Sequence, residues 1–113
     1  MSSTVKRYLT FRLSEDAVLS KNDPSEFRGI ICGSKDYLRI HVLAPAQFSE
    51  YAMAVIYSVN GEEYPRPITD GKSDVPNEVT KCQHFNVKIV LQKGTQRIYT
   101  NGIEVYQSGK YDA

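Results

Sequence analysis

The chain lacks tryptophan altogether and carries only two cysteines and two histidines in 113 residues. Two thiols, Cys32 and Cys82, allow one bridge and do not make a disulfide scaffold. A four-ligand zinc site would need both of them together with His41 and His84, and no short pair such as C-x-x-C is present. The cysteines therefore read as two small apolar side chains. An excess of one charge is missing too. Fourteen basic and thirteen acidic residues leave a net charge of +1. A nucleic-acid footprint needs a larger basic excess, so no nucleic-acid partner is expected. Long apolar runs are absent: AMAVIY, residues 52–57, is the longest. It is far too short to span a bilayer, so no membrane partner is expected. The N-terminal MSSTVKRYLTF lacks the apolar stretch of about 7–15 residues that follows the charges of a secretion signal. Cytoplasmic synthesis is the expectation.

What is present is enough for one folded domain. Hydrophobic residues make up 41% and charged residues 24%, which argues against a disordered chain. A chain of this size buries about two-thirds of its surface. Apolar residues recur with period two, the mark of half-buried strands. In residues 5–13, Val5, Leu9, Phe11 and Leu13 share one face. In residues 37–43, Leu38, Ile40 and Val42 do, with Tyr37, Arg39 and His41 opposite. In residues 85–91, Phe85, Val87, Ile89 and Leu91 do. The stretch 51–59, YAMAVIYSV, is apolar on both faces. Met53 and Val55 are assigned to the core, with Ala52, Ala54 and Ile56 the alternative inward set.

Asn60-Gly61 supplies the two φ > 0 residues of a type I′ hairpin turn. The returning strand, residues 62–64, is stopped by Pro65 and Pro67, so it lies on an edge or is very short. Residues 27–32 are expected as a short strand, 97–100 as another, Asn101-Gly102 as a second turn, and 103–106 as the last strand. Residues 14–26 and 68–77 read as loops, and 1–4 and 107–113 as polar tails. Seven or eight short strands without a helix predict an all-β chain: one antiparallel β-sandwich domain over 1–113, Ig-like in general architecture. A small barrel is the competitor.

Catalysis finds no support in the residues. No G-x-S-x-G or G-x-G-x-x-G run is present. The carboxylate pairs Glu15-Asp16 and Glu62-Glu63 are adjacent, and neighbours on a strand point to opposite faces. No catalytic, cofactor-binding or metal-ligating residue is assigned, and no enzyme is expected. Eight tyrosines are the feature in excess. Tyrosine packs its ring and offers its hydroxyl at a rim, which suits interfaces. Tyr8, Tyr37, Tyr64, Tyr106 and Tyr111 are the candidate partner-binding residues.

The second half carries a recognisable order of motifs. A Tyr-rich strand runs into Asn60-Gly61-Glu62-Glu63-Tyr64. Asp70-Gly71, Val75-Pro76-Asn77-Glu78-Val79 and Phe85-Asn86-Val87-Lys88-Ile89 follow. Then come Gln96-Arg97-Ile98-Tyr99-Thr100-Asn101 and Ser108-Gly109-Lys110-Tyr111. Over residues 51–111 this resembles small β-sandwich domains of tailed-bacteriophage structural proteins. These are the N-terminal domains of baseplate, tail-fibre and head-fibre proteins of phages of Gram-positive hosts. The resemblance implies a non-enzymatic virion protein, made in the host bacterial cytoplasm. It would bind capsid, portal, tail or fibre proteins and form a homo-oligomer on the particle. Residues 97–101 read as a crossover from one strand to the last, and in that family a fibre or coiled-coil segment follows the Ser-Gly-x-Tyr end. This chain stops at Ala113, which fits an accessory protein, such as a capsid decoration or head-fibre base, or a piece of something longer. The alternative is a β-sandwich module that binds a carbohydrate or host surface glycan.

Overall fold

The structure is a computed structural model and describes residues 5–108. The expectations placed on residues 1–4, 109–113 and Tyr111 lie outside the described residues. Nine strands form among the described residues: β1 (Arg7–Leu13), β2 (Leu19–Lys21), β3 (Leu38–Leu43), β4 (Ala52–Val59), β5 (Glu62–Pro67), β6 (Lys72–Asp74), β7 (His84–Lys93), β8 (Gln96–Tyr99) and β9 (Ile103–Tyr106). They make two sheets, packed as the expected β-sandwich. One sheet has the order β2-β1-β3-β6. The other has the order β5-β4-β7-β8, with β9 also paired to β7. All pairs are antiparallel except β1 and β3, which run parallel with Arg7 opposite Leu38 and Arg12 opposite Leu43.

The period-two faces meet between the sheets. Leu9, Phe11, Leu13, Leu38, Ile40 and Val42 come from one. Val55, Tyr57, Phe85, Val87, Ile89, Leu91 and Val105 come from the other. β4 therefore turns its Val55 face inward, with Met53 half-buried on the same side, and Ala52, Ala54 and Ile56 point outward. Tyr57, a residue type expected at rims, is fully buried. Its hydroxyl donates to Ser73 Oγ at 3.1 Å, which removes the penalty of an unpaired buried polar group. Burial also pushes the phenol well above the ordinary tyrosine range.

The Asn60-Gly61 turn forms as expected. Val59 pairs with Glu62, and Asn60 and Gly61 sit at φ 52° and 81°. A side chain at Gly61 would meet nothing within 4 Å, so Gly61→Val acts through backbone strain alone. It is expected to destabilise the domain by roughly 1–3 kcal/mol, read as a lower melting temperature by circular dichroism. An unchanged melting temperature would contradict the turn.

Several expectations are corrected. Residues 27–32 are not a strand. Asp23 caps a 3₁₀ turn, Pro24–Phe27, by accepting from Ser25 N–H, and Gly29 at φ 68° breaks the chain. Ile31 keeps only an isolated bridge to Ser108. Val5, expected on the buried face, precedes β1 and is 74% exposed. The loop 14–26 contains β2, and the loop 68–77 contains β6. Helix is not absent: two 3₁₀ turns and one α-turn, α1 (Asn77–Thr80), occur.

Asp70 and Gly71, at φ 54° and 75°, make a second tight turn, and Thr69 and Lys72 exchange two 3.0 Å hydrogen bonds across it. This corner takes the chain from one sheet to the other. Gln107 and Ser108 are not tail. Gln107 is buried and donates to the carbonyls of Thr80 and Cys82, while Ser108 N–H donates to Ile30 O.

Asn101-Gly102 is not a hairpin turn, and residues 97–101 do not cross over. β8 and β9 lie along the same side of β7. Tyr99 pairs with Val90 and Ile103 with Val87, so one extra residue is inserted between the two registers. That is a β-bulge. Thr100 Oγ1 accepts from Ile89 N–H at 2.9 Å in the gap. The Asn101 amide reaches the other sheet. Its Oδ1 accepts from Leu19 N–H at 2.7 Å and its Nδ2 donates to Leu19 O at 3.0 Å. This clamp closes one side of the sandwich.

Candidate functional site

The open edges of the sheets are poor templates for a partner strand. β2 and β6 have three residues each. β5 carries Pro65 and Pro67, which cannot donate to a ladder. The β8–β9 side is broken by its bulge. Short strands, prolines and bulges are the devices by which edges avoid pairing. The upper part of β1, beyond β2, is covered by the 3₁₀ turn. Glu26 Oε1 accepts from Thr10 N–H, and the Arg7 guanidinium donates to the carbonyls of Glu26, Arg28 and Gly29.

The outer faces of the two sheets differ in kind. On the four-stranded sheet the outward residues are Tyr8, Thr10 and Arg12 of β1, Arg39, His41 and Leu43 of β3, and Lys72 and Asp74 of β6. The charges there have partners. Arg39 Nε lies 2.8 Å from Asp74 Oδ1. Arg39 and Lys72 both stand 5.8 Å from the Tyr8 ring centre, and Arg12 donates to Asn22 Oδ1. This is a charged face paired largely within itself, although Arg39 Nε makes no aligned hydrogen bond.

The five-stranded sheet carries apolar groups outward across four strands. Register places Pro67, Ala54, Val90 and Tyr99 in one row, and Pro65, Ile56 and Lys88 in the next. A polar row follows: Glu63, Ser58, Asn86 and Glu104. Ala52, Gln92 and Arg97 form the row on the other side. Beyond Asn86, His84 pairs with Tyr106, and their rings stack at 5.9 Å with 16° between planes. Tyr99 and Tyr106 are 55% and 65% exposed, and Lys88 Nζ stands 5.6 Å from the Tyr99 ring centre. β4 thus reads as a strand made to be covered on both faces, yet no described residue covers its outer one.

The four expected tyrosines among the described residues do not converge. Tyr106 lies on this outer face. Tyr8 lies on the opposite side of the molecule. Tyr37 is half-buried against the core. Tyr64 is half-buried on the edge strand, where its hydroxyl donates to Glu62 at 2.7 Å; that bond raises its pKa. Tyr99, Ile56 and Val90 were not among the expected partner-binding residues. For Ile56 the signal was the second apolar face of residues 51–59, whereas Val90 and Tyr99 join it only through strand register.

Other chemistry is sparse among the described residues. Cys32 and Cys82 are both free thiols. No three His, Cys, Asp or Glu side chains come together, and no helix is long and apolar enough to cross a membrane. A cleft of about 370 Å³ opens between the edge strands β5 and β6, lined by Asp36, Arg66, Asp74 and Asn77. Asp36 N–H donates to Asn77 Oδ1 there. No protein-family model matches the chain, and no curated protein matches it.

Proposed function

We propose that the chain is a non-enzymatic structural domain of a tailed-phage virion. It serves as a capsid decoration, head-fibre or baseplate component and associates with virion proteins, copies of itself included, through the outer face of its five-stranded sheet. The observation that carries the binding mode is the pair of rows Pro67–Ala54–Val90–Tyr99 and Pro65–Ile56–Lys88, apolar apart from Lys88, partly exposed, and overlaid by no other described element. Contiguous apolar surface rimmed by polar groups marks interaction sites. The virion setting is supported by the resemblance of residues 51–111 to phage structural domains. The test is quantitative mass spectrometry of purified particles of the phage that encodes the chain. A fixed copy number per particle is expected. Its absence from particles would reject the virion setting.

One observation favours a second reading. The stacked His84 and Tyr106 rings stand beside Asn86, whose Nδ2 donates to Glu104 at 3.3 Å. An aromatic plate flanked by an amide and a carboxylate suits a sugar ring. Glycan binding by the isolated chain that is lost in Tyr106→Ala would favour this module over the assembly domain.

A further inference from the structure

We infer that the outer face of the five-stranded sheet docks a second copy of this chain. The two copies are related by a two-fold axis that lies in the contact plane and runs across the strands. This names the partner in the assembly reading above and rests on it only for the setting.

Two identical sheets that pack face to face have two simple choices for an in-plane axis, along the strands or across them. An axis along the strands sets each row against itself, reversed. Glu63 and Glu104 share a row at its two ends, so each would meet the other's carboxylate in the second copy. Like charges in opposition penalise that arrangement. An axis across the strands, passing over Val55 and Ile89, sets each row against its mirror row. Ala54 then meets Ile56 of the other copy, Pro67 meets Pro65, and Gln92 meets Asn86. Arg97 meets Glu104, and does so twice. The Lys88 stem covers Val90, as long basic side chains do.

Arg97 and Glu104 are suited to this. Among the described residues neither forms a salt bridge within its own chain. Arg97 donates to Gln92 Oε1 at 3.1 and 3.3 Å, and Glu104 accepts only from Asn86. Both are long enough to absorb the roughly 30° twist between packed sheets. The area is adequate. Four strands about 4.8 Å apart, over some eight residues of rise, make a face on the order of 500 Å². Two such faces bury about 1,000 Å², the least that a specific interface needs, which fits a dimer in equilibrium with its monomer.

The test is sedimentation equilibrium of the full chain across a dilution series. A monomer–dimer equilibrium is expected. Ile56→Lys should abolish the dimer while leaving the circular-dichroism melt in place, because Ile56 faces away from the core. Arg97→Glu and Glu104→Arg should each weaken the dimer about tenfold, and the double variant should restore it. A wild-type chain that is monomeric throughout would overturn the inference. So would a dimer indifferent to Ile56→Lys, or a double variant no better than the singles. A monomer still found at fixed copy number in particles would reject the pairing and leave the assembly reading standing, with a different virion protein on this face. A dimer absent from particles would do the reverse.

Discussion

Replacing Phe85 with Ala is expected to cost the domain about 3–5 kcal/mol, by lost burial and by the cavity left behind. Phe85 sits inward on β7, opposite Val105 of β9, with its ring centre 6.3 Å from that of Tyr57. It is almost wholly buried. Rigid strands on both flanks limit how far the site can collapse, so the larger part of that range is expected. Urea unfolding followed by tyrosine fluorescence or circular dichroism measures it. A loss below about 1 kcal/mol would mean that Phe85 is not a core residue.

The second large effect belongs to Asn101. Its amide satisfies both backbone groups of Leu19, a buried residue on the edge of the other sheet. Asn101→Leu, similar in volume, leaves a donor and an acceptor without these partners and is expected to cost about 1–3 kcal/mol. A stability loss alone would not identify the clamp. The specific readout is hydrogen exchange at the Leu19 amide, which should lose protection well before the β7 amides do. An Asn101→Leu chain with the wild-type melt and an equally protected Leu19 would contradict the clamp.

The strands that were legible in the sequence are those in which burial alternates over a long run. Residues 38–43 and 85–91, with the inward set of Leu9, Phe11 and Leu13, announce both their state and their core face. Asn60-Gly61 announces its turn because both residues tolerate φ > 0. β2 and β6 were not legible because three residues carry no period. They exist through pairing with β1 and β3, which is a tertiary effect. The sequence Pro-Ser-Glu-Phe of the first 3₁₀ turn hid its single buried ring, Phe27, behind three polar or breaking residues. Asn101-Gly102 misled for a clear reason. The same dipeptide that makes a two-residue turn also fits a bulge, and the choice rests on Leu19, 82 residues away.

The candidate face was half legible. Residues 51–59 showed two apolar sides, and only one can line the core of a two-layer sandwich. The other side is the proposed binding face, so the apparent ambiguity over Ala52, Ala54 and Ile56 was itself the signal. Tyrosine count was a weaker guide. It singled out Tyr8, held between Arg39 and Lys72 on the far sheet, and passed over Tyr99, which stands in register with Val90 and Ala54. What separates them is which sheet each strand joins, and period-two patterning is silent on that.

Hydroxyl-radical footprinting of the assembled chain, compared with the dilute free chain, tests the central claim most directly. Tyr99, Ile56 and Val90 are predicted to lose reactivity on assembly, while Tyr8 on the opposite sheet keeps it. Protection of Tyr8 with Tyr99 and Ile56 left reactive would contradict the claim that the five-stranded sheet supplies the binding face.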